Sequence, residues 1–239
     1  MNNHFSSLPE LGQRCRESEI YFDSFLDSGE DGNGWGPAQL YPPNTEVYHQ
    51  DTPANAVYMI ERGLVKLTWV ESGGSEVIVG LRRRHWLLGA PAVLLERSYA
   101  FTVTTLTPCD LRCISSYGFL QLVNMNAEFC RQLLRRLSEE IYCHGIKVAV
   151  FGCIPARDRL IKFLCELVLE QGQANPPPEL KKPVRLQIPL KLKELAQLIA
   201  VTPEHLSRML RELELQGIIS RNKGWLILTD PAIFSPTRS

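Results

Sequence analysis

The stretch from Pro189 to Leu228 constrains this chain more than any other, because its apolar spacing, breaks and charges together describe one small module. Leu192, Leu195, Ala196, Leu198 and Ile199 recur at helical spacing, which predicts a short amphipathic helix over Lys191 to Ala200. Ala200-Val201-Thr202 then breaks the pattern. Thr202 suits an N-cap, Pro203 fits the first helical turn, and Glu204 lies near the positive end of a helix dipole. A second helix is therefore expected from there to about Gln216, with Leu206, Met209, Leu210, Leu213 and Leu215 as its core face and Gly217 as its terminator. Ile218-Ile219-Ser220 and Trp225 to Leu228 follow as two β-prone runs around Arg221-Asn222-Lys223-Gly224, the pattern of a hairpin.

Two helices joined by a tight turn and followed by a basic-tipped hairpin make a winged helix-turn-helix, whose second helix enters a DNA major groove with its N-terminal residues foremost. Glu204, His205, Ser207, Arg208 and Arg211 are not needed for that helix's core. Arg can bond a guanine edge bidentately and Glu can accept from cytosine N4, so Glu204 and Arg208, one turn apart, can read adjacent base pairs. Taken alone, the pair reads equally as an exposed i,i+4 ion pair; the preceding helix, turn and wing favour the DNA reading. Thr202, Lys191, Lys193, Arg221 and Lys223 complete the expected contact set.

The zero net charge hides a polarity that agrees with this. Residues 1–40 hold Glu10, Glu17, Glu19, Asp23, Asp27, Glu30 and Asp31 against Arg14 and Arg16, whereas basic residues concentrate between Lys181 and Lys223. Phosphate attraction at one end of the chain requires such a distribution. The seven cysteines form no C-x-x-C pair, which argues against a disulfide framework or a zinc finger and for reduced thiols. No apolar run approaches membrane-spanning length, and the N-terminus lacks a basic start followed by an apolar block, so a soluble cytoplasmic protein is expected.

The segment Thr202-Pro203-Glu204-His205-Leu206-Ser207-Arg208 resembles the recognition helix of the Crp/Fnr regulators, in the Glu-x-x-Ser-Arg form of the Fnr-like branch. That resemblance implies contacts from Glu204, Ser207 and Arg208 to a TTGA-type half-site. The Crp-like branch usually has Arg before the Glu; Pro203 stands here and shifts the expectation towards Fnr-like targets.

Upstream, residues 1–38 form an acidic extension, with a short helix expected from Pro9 to Leu26 and a connector from Ser28 to Gly34. The family's iron-sulfur ligand cluster is not expected, since this arm has only Cys15. From Gln39, short runs at Val47–His49, Val57–Ile60, Leu64–Val70, Glu76–Leu81, Phe101–Leu106 and Leu111–Ile114 predict an antiparallel β-roll over residues 39–116. Tyr41-Pro42 through Ile60-Glu61-Arg62-Gly63 also resembles the opening of the family's cyclic-nucleotide-binding roll. In that family a Gly-Glu pair opens a short helix and an Arg-Ser pair follows, so that helix N–H groups and Arg hold a phosphate while Glu takes the ribose. This chain has Gly89-Ala90-Pro91, lacking the Glu; Arg97-Ser98 arrives about three residues early; His144-Gly145 replaces the base-facing Thr-Ser pair. Gly89, Ala90, Arg97, Ser98 and His144 are thus the candidate effector residues, for an effector other than a cyclic nucleotide.

His85, after Arg82-Arg83-Arg84 and before Trp86, has no second ligand at a defined spacing and is read as a hydrogen-bonded loop residue, not a metal ligand. Cys109 and Cys113 share strand parity with Leu111 and should face inward. A long helix is expected from Tyr117 to about Val150, with Phe119, Leu122, Val123, Cys130, Leu133, Leu134, Leu137, Ile141, Val148 and Phe151 as a seam for a twin subunit. Cys130 and Cys143 fall on or near that seam as small core residues. Pro155 starts a further helix, Gly172 to Pro178 is a loop, and Gly152 to Pro155 reads as the hinge.

The expected architecture is α+β: an acidic extension (1–38), a β-roll (39–116), a dimerisation helix (117–152) and a winged helix-turn-helix (153–239). The expected partners are double-stranded DNA, a second copy of the chain, and RNA polymerase or a regulatory protein, without a membrane, metal or cofactor. No nucleophile, base and orienting group cluster, so no enzyme is expected. The alternative is a degenerate family member whose roll is a protein-interaction module.

Overall fold

A computed structural model describes residues 34–151, 154–170, 183–222 and 225–229. The helix expected from Pro9 to Leu26, Cys15, the loop from Gly172 to Pro178 and the wing-tip residue Lys223 lie outside the described residues. The chain forms two compact units, residues 1–148 and 149–239.

In the first unit, two four-stranded antiparallel sheets make the roll. One has the order β1-β8-β3-β6, from Gln39–Tyr41, Cys109–Ser115, Ala56–Arg62 and Leu87–Leu88; the other has the order β2-β7-β4-β5, from Glu46–Tyr48, Thr102–Thr105, Val65–Val70 and Glu76–Arg82. Strand alternation sorts β3 between two cores. Val57 and Met59 pack with Leu87, Ala90, Ile114, Phe119, Phe129 and Leu133, whereas Ile60 packs with Val65, Leu67, Leu88, Val103, Cys109 and Leu111. A strand buried on both faces reads as a nearly continuous apolar run, and Val57-Tyr58-Met59-Ile60 is one. On β8, Cys109 and Leu111 are buried and Cys113 is half-buried, while Asp110 pairs with Arg62 at 2.7 Å and Arg112 with Glu61. Burial pushes the Cys109 and Cys113 thiols up from their ordinary value.

The single helix expected from Tyr117 is two. A short helix α1 (Ala90–Leu94) lies in the roll; α2 (Ser116–Met125) and α3 (Ala127–Phe151) follow it, separated by Asn126 at φ −117° and ψ 96°. Asn126 closes α2 through its own N–H to the Leu122 carbonyl at 3.0 Å and opens α3 by accepting from the Phe129 N–H at 2.9 Å. Such local side-chain bonds are why Asn interrupts helices. The expected seam divides accordingly. Phe119 and Leu133 belong to the roll's core, with Leu122, Val123 and Leu137 packed against it, while Leu134 and Ile141 stay 60% and 73% exposed.

The second unit holds α4 (Ala156–Glu170), β9 (Val184–Gln187), α5 (Leu192–Leu198), α6 (Pro203–Leu215), β10 (Ile219–Asn222) and β11 (Trp225–Leu228). The hairpin gains a third strand, giving the order β10-β11-β9, with Leu226 opposite Leu186. Leu160, Leu164, Leu167, Leu186, Leu195, Ile199, Leu206, Leu210 and Leu213 are buried. Leu198 is half-buried, and two expected positions lie outside: Leu192 and Leu215 are 42% and 80% exposed, each at a helix end where the apolar face has run out.

Candidate nucleic-acid interface

The turn between α5 and α6 is built from backbone geometry. Ala200 takes φ +53°, its N–H reaches the Gln197 carbonyl at 3.0 Å, and the Val201 N–H reaches Ala196 at 3.0 Å. This is the Schellman closure, with alanine where glycine is usual. α6 ends the same way at Gly217 (φ +69°), whose N–H bonds Glu214 at 2.9 Å while the Ile218 N–H bonds Leu213 at 3.0 Å. Its start is capped by Thr202, whose hydroxyl accepts from the His205 N–H at 3.2 Å, with Pro203 in the first turn.

Leu206, Met209, Leu210 and Leu213 turn one face of α6 into the core. That leaves Glu204, Ser207, Arg208 and Arg211, spaced i, i+3, i+4 and i+7, on one opposite face: Ser207 half-buried, the others exposed along with His205. The Glu204 carboxyl is held below the usual carboxylate range, first by its own backbone N–H, then by the Thr202 hydroxyl and the Arg208 charge. An ionised acceptor and a guanidinium therefore stand one turn apart at the helix's leading end. Lys191 and Lys193 are exposed around the start of α5, where the Lys191 N–H donates to the Glu194 carboxylate at 2.8 Å.

Arg221 is engaged differently from an open wing contact. Its guanidinium donates twice to Glu214 of α6, at 2.6 and 2.7 Å, which holds that carboxyl below its usual range. It ties β10 to α6. Arg159, at the first turn of α4 and not singled out from the sequence, donates to the Ile199 carbonyl at 2.8 Å, to Ala200 at 3.3 Å and to Ile154 at 2.6 Å.

The five candidate effector residues are not gathered into one cavity. Gly89, at φ +82°, caps α1; a Cβ there would meet the Tyr99 ring at 2.7 Å, so glycine lets the ring pack against the chain. Ala90 is buried in the core. Arg97 and Ser98 border an open cleft of about 330 Å³, floored by Ala54, Val93 and Leu120, that takes in neither Gly89, Ala90 nor His144. The Nε2 of His144 lies 3.7 Å from Glu140 on the same helix. His85 is buried at φ +66°, its N–H bonded to the Ile60 carbonyl at 2.7 Å, and no cluster of metal-ligating side chains occurs among the described residues.

Sequence reasoning missed what fills the roll. Tyr48 stacks on Tyr99 with centroids 3.8 Å apart and meets Tyr58 at 5.9 Å. Burial raises all three phenols, Tyr58 to about 12 and Tyr48 further. Trp86 has the Arg82 guanidinium 4.3 Å and the Arg136 guanidinium 5.2 Å from its ring centroid, and Arg82 pairs with Glu140 of α3 at 3.1 Å. The run Arg82 to Trp86 was the available signal, but its partners lie far along the chain, at Arg136 and Glu140.

The comparisons agree with this two-part build. Residues 38–126 match the cyclic nucleotide-binding domain model and residues 158–233 the Crp-like helix-turn-helix domain model. The chain belongs to the Crp/Fnr family of DNA-binding transcription regulators. Among its curated relatives are the cAMP-activated global transcriptional regulator CRP of Salmonella typhimurium, 24% identical over 75% of this chain and 83% of that one, and the global nitrogen regulator of Synechococcus elongatus, 24% identical over 85% and 91%. A solved transcriptional regulator of the CRP family from Thermus thermophilus shares the fold, with TM-score 0.67 and 18% identity over 82% of this chain and 93% of that one.

Proposed function

We propose that this regulator binds a two-fold operator with TTGA-like half-sites as a homodimer, and that its roll answers to something other than a cyclic nucleotide. The observation that carries the reading is the single polar face Glu204, Ser207, Arg208 and Arg211 at the leading part of a helix whose opposite face is buried. Lys191 and Lys193 add phosphate attraction beside it. Leu134 and Ile141, one heptad apart and exposed on α3, supply an apolar stripe that a twin helix would cover. Against a cyclic nucleotide stand the missing Glu after Gly89, the buried Ala90 in its place, and the stacked tyrosines inside the roll.

Selection of bound duplexes from a random pool by the full chain tests the DNA reading. Enrichment of inverted TTGA repeats is expected; enrichment of no sequence would refute it. Thermal melts with cyclic AMP, cyclic GMP and 2-oxoglutarate test the roll, since a ligand preferring the folded state raises the midpoint. No shift is expected with either nucleotide.

A second reading, the roll as a protein-interaction module, draws on one feature. Trp69 and Val77 face each other across β4 and the edge strand β5, and with Val79 are about 40% exposed. A stoichiometric protein captured by the wild-type chain and lost on Trp69→Lys would favour it.

A further inference from the structure

Arg159 occupies an unusual place for a charged side chain: it is half-buried, and three backbone carbonyls from two separate stretches converge on its guanidinium. Two of them, Ile199 and Ala200, belong to the turn between α5 and α6; the third, Ile154, lies where the chain enters the domain. The contacts match the need at each end. Ile199 is the C-cap of α5, where helix carbonyls are left over and a cation is favoured. Ala200 holds φ +53°, a left-handed conformation that costs a residue with a Cβ and persists only where surroundings impose it. The turn that sets the direction of α6 is thus strained, and Arg159 grips it on its carbonyl side. A planar guanidinium with donors in a fixed fork can do this; a lysine ammonium cannot reach three acceptors in the same geometry.

We propose that Arg159 is the positioning residue of the recognition helix, holding the turn before α6 in register with the backbone at Ile154. This deepens the DNA-reading proposal and rests on it. Because Arg159 acts through the turn and not on DNA, its loss alters how well α6 fits base edges without altering how many phosphates the domain neutralises.

The test uses the full chain and the duplex that the wild-type protein itself enriches from a random pool. Affinities for that duplex and for a scrambled one are measured across salt for wild type, Arg159→Lys, Arg159→Gln and, as a control, Arg157→Ala, whose exposed guanidinium donates to the Gln216 side chain at 2.7 Å and not to the turn. Arg159→Gln should lose on the order of tenfold or more in affinity for the enriched duplex, the equivalent of one charged hydrogen bond. Its affinity for the scrambled duplex and its salt slope should match wild type. Arg159→Lys should fall between the two, and Arg157→Ala should match wild type. Adding Ala200→Gly to Arg159→Gln relieves the strain but not the lost register, so the folded state should recover in a thermal melt while specific affinity stays low. Equal losses on both duplexes with a reduced salt slope would make Arg159 a phosphate contact, and an unchanged specific affinity would remove its role; either overturns the proposal. If Arg159→Gln does not fold, the Arg159→Lys and Arg159→Gln/Ala200→Gly comparisons decide. A wild-type protein that enriches no duplex refutes the DNA reading itself, a distinct outcome.

Discussion

The guanidinium of Arg82, at the end of β5, lies 3.1 Å from the carboxylate of Glu140, near the middle of α3, which the sequence presents as part of a dimerisation helix. The pair sits 58 residues apart in the chain, with side chains only 12% and 24% exposed. It fastens α3 to the roll, and Trp86, with the guanidinium groups of Arg82 and Arg136 over its ring, thickens the joint. Burial lowers the Arg82 value and Glu140 opposes that shift, as expected of a charge held largely out of water beside an opposite charge.

Removing one partner strands the other. Glu140→Gln should destabilise the first unit by about 2 kcal/mol, between the surface and fully buried limits for ion pairs. Arg82→Met should cost a similar amount, and the double variant less than the sum of the two in a urea-denaturation cycle. Strict additivity would mean the contact is not energetically coupled.

The tyrosine cluster makes stability sensitive to alkali. The fold favours the neutral phenol, so Tyr58, pushed from 10.0 to about 12, contributes stability that is complete below pH 10 and is lost as pH rises from 10 through 12. Tyr48 and Tyr99 act in the same direction. Urea midpoints should decline over that window as tyrosinate absorbance grows, and Tyr58→Phe should lessen the decline.

The exposed stripe on α3 predicts the assembly. Ile141→Glu places a charge on the face that also carries Leu134, and on the homodimer reading sedimentation should show a dimer for wild type and a monomer for the variant. Operator affinity should fall by roughly tenfold or more, as expected of lost bivalency.

Arg221 predicts a mild phenotype. With its side chain 48% exposed and paired to Glu214, Glu214→Gln should change stability by less than about 1 kcal/mol. On the DNA-binding reading proposed above, the pair fixes β10 against α6, so that variant should still weaken DNA binding severalfold on all sequences, measured by fluorescence anisotropy.

Where local chemistry decides structure, the sequence was a good guide. Thr202, Pro203 and Gly217 mark the ends of α6 because caps act within a few residues, and the alternation around Leu111 sorts Cys109 from Asp110 for the same reason. Legibility failed where distant partners decide. β9 is four residues long and exists because β11 offers it a ladder. Phe119 and Leu133 share helical spacing with Leu134 and Ile141, and only the roll's core determines which of them it takes. Ala200 closing a turn where glycine is usual gave no hint of Arg159, far upstream in the chain. On α6, the polar face carrying Glu204, Ser207 and Arg208 was readable because a helix leaves outside what its core does not need. The tyrosine cluster and the Arg82–Trp86–Arg136 joint were not, because ring stacking and cation–ring contacts between distant residues leave no periodic trace.

The most direct test of the recognition-helix assignment pairs variants with altered bases. Wild type and Arg208→Ala are titrated against the enriched operator and against duplexes changed one base pair at a time within the half-site. Arg208→Ala should lose about 1–3 kcal/mol on the enriched site and no longer discriminate at one base pair, while keeping wild-type preferences elsewhere. Undiminished binding by Arg208→Ala, with full discrimination at every position, would contradict the assignment.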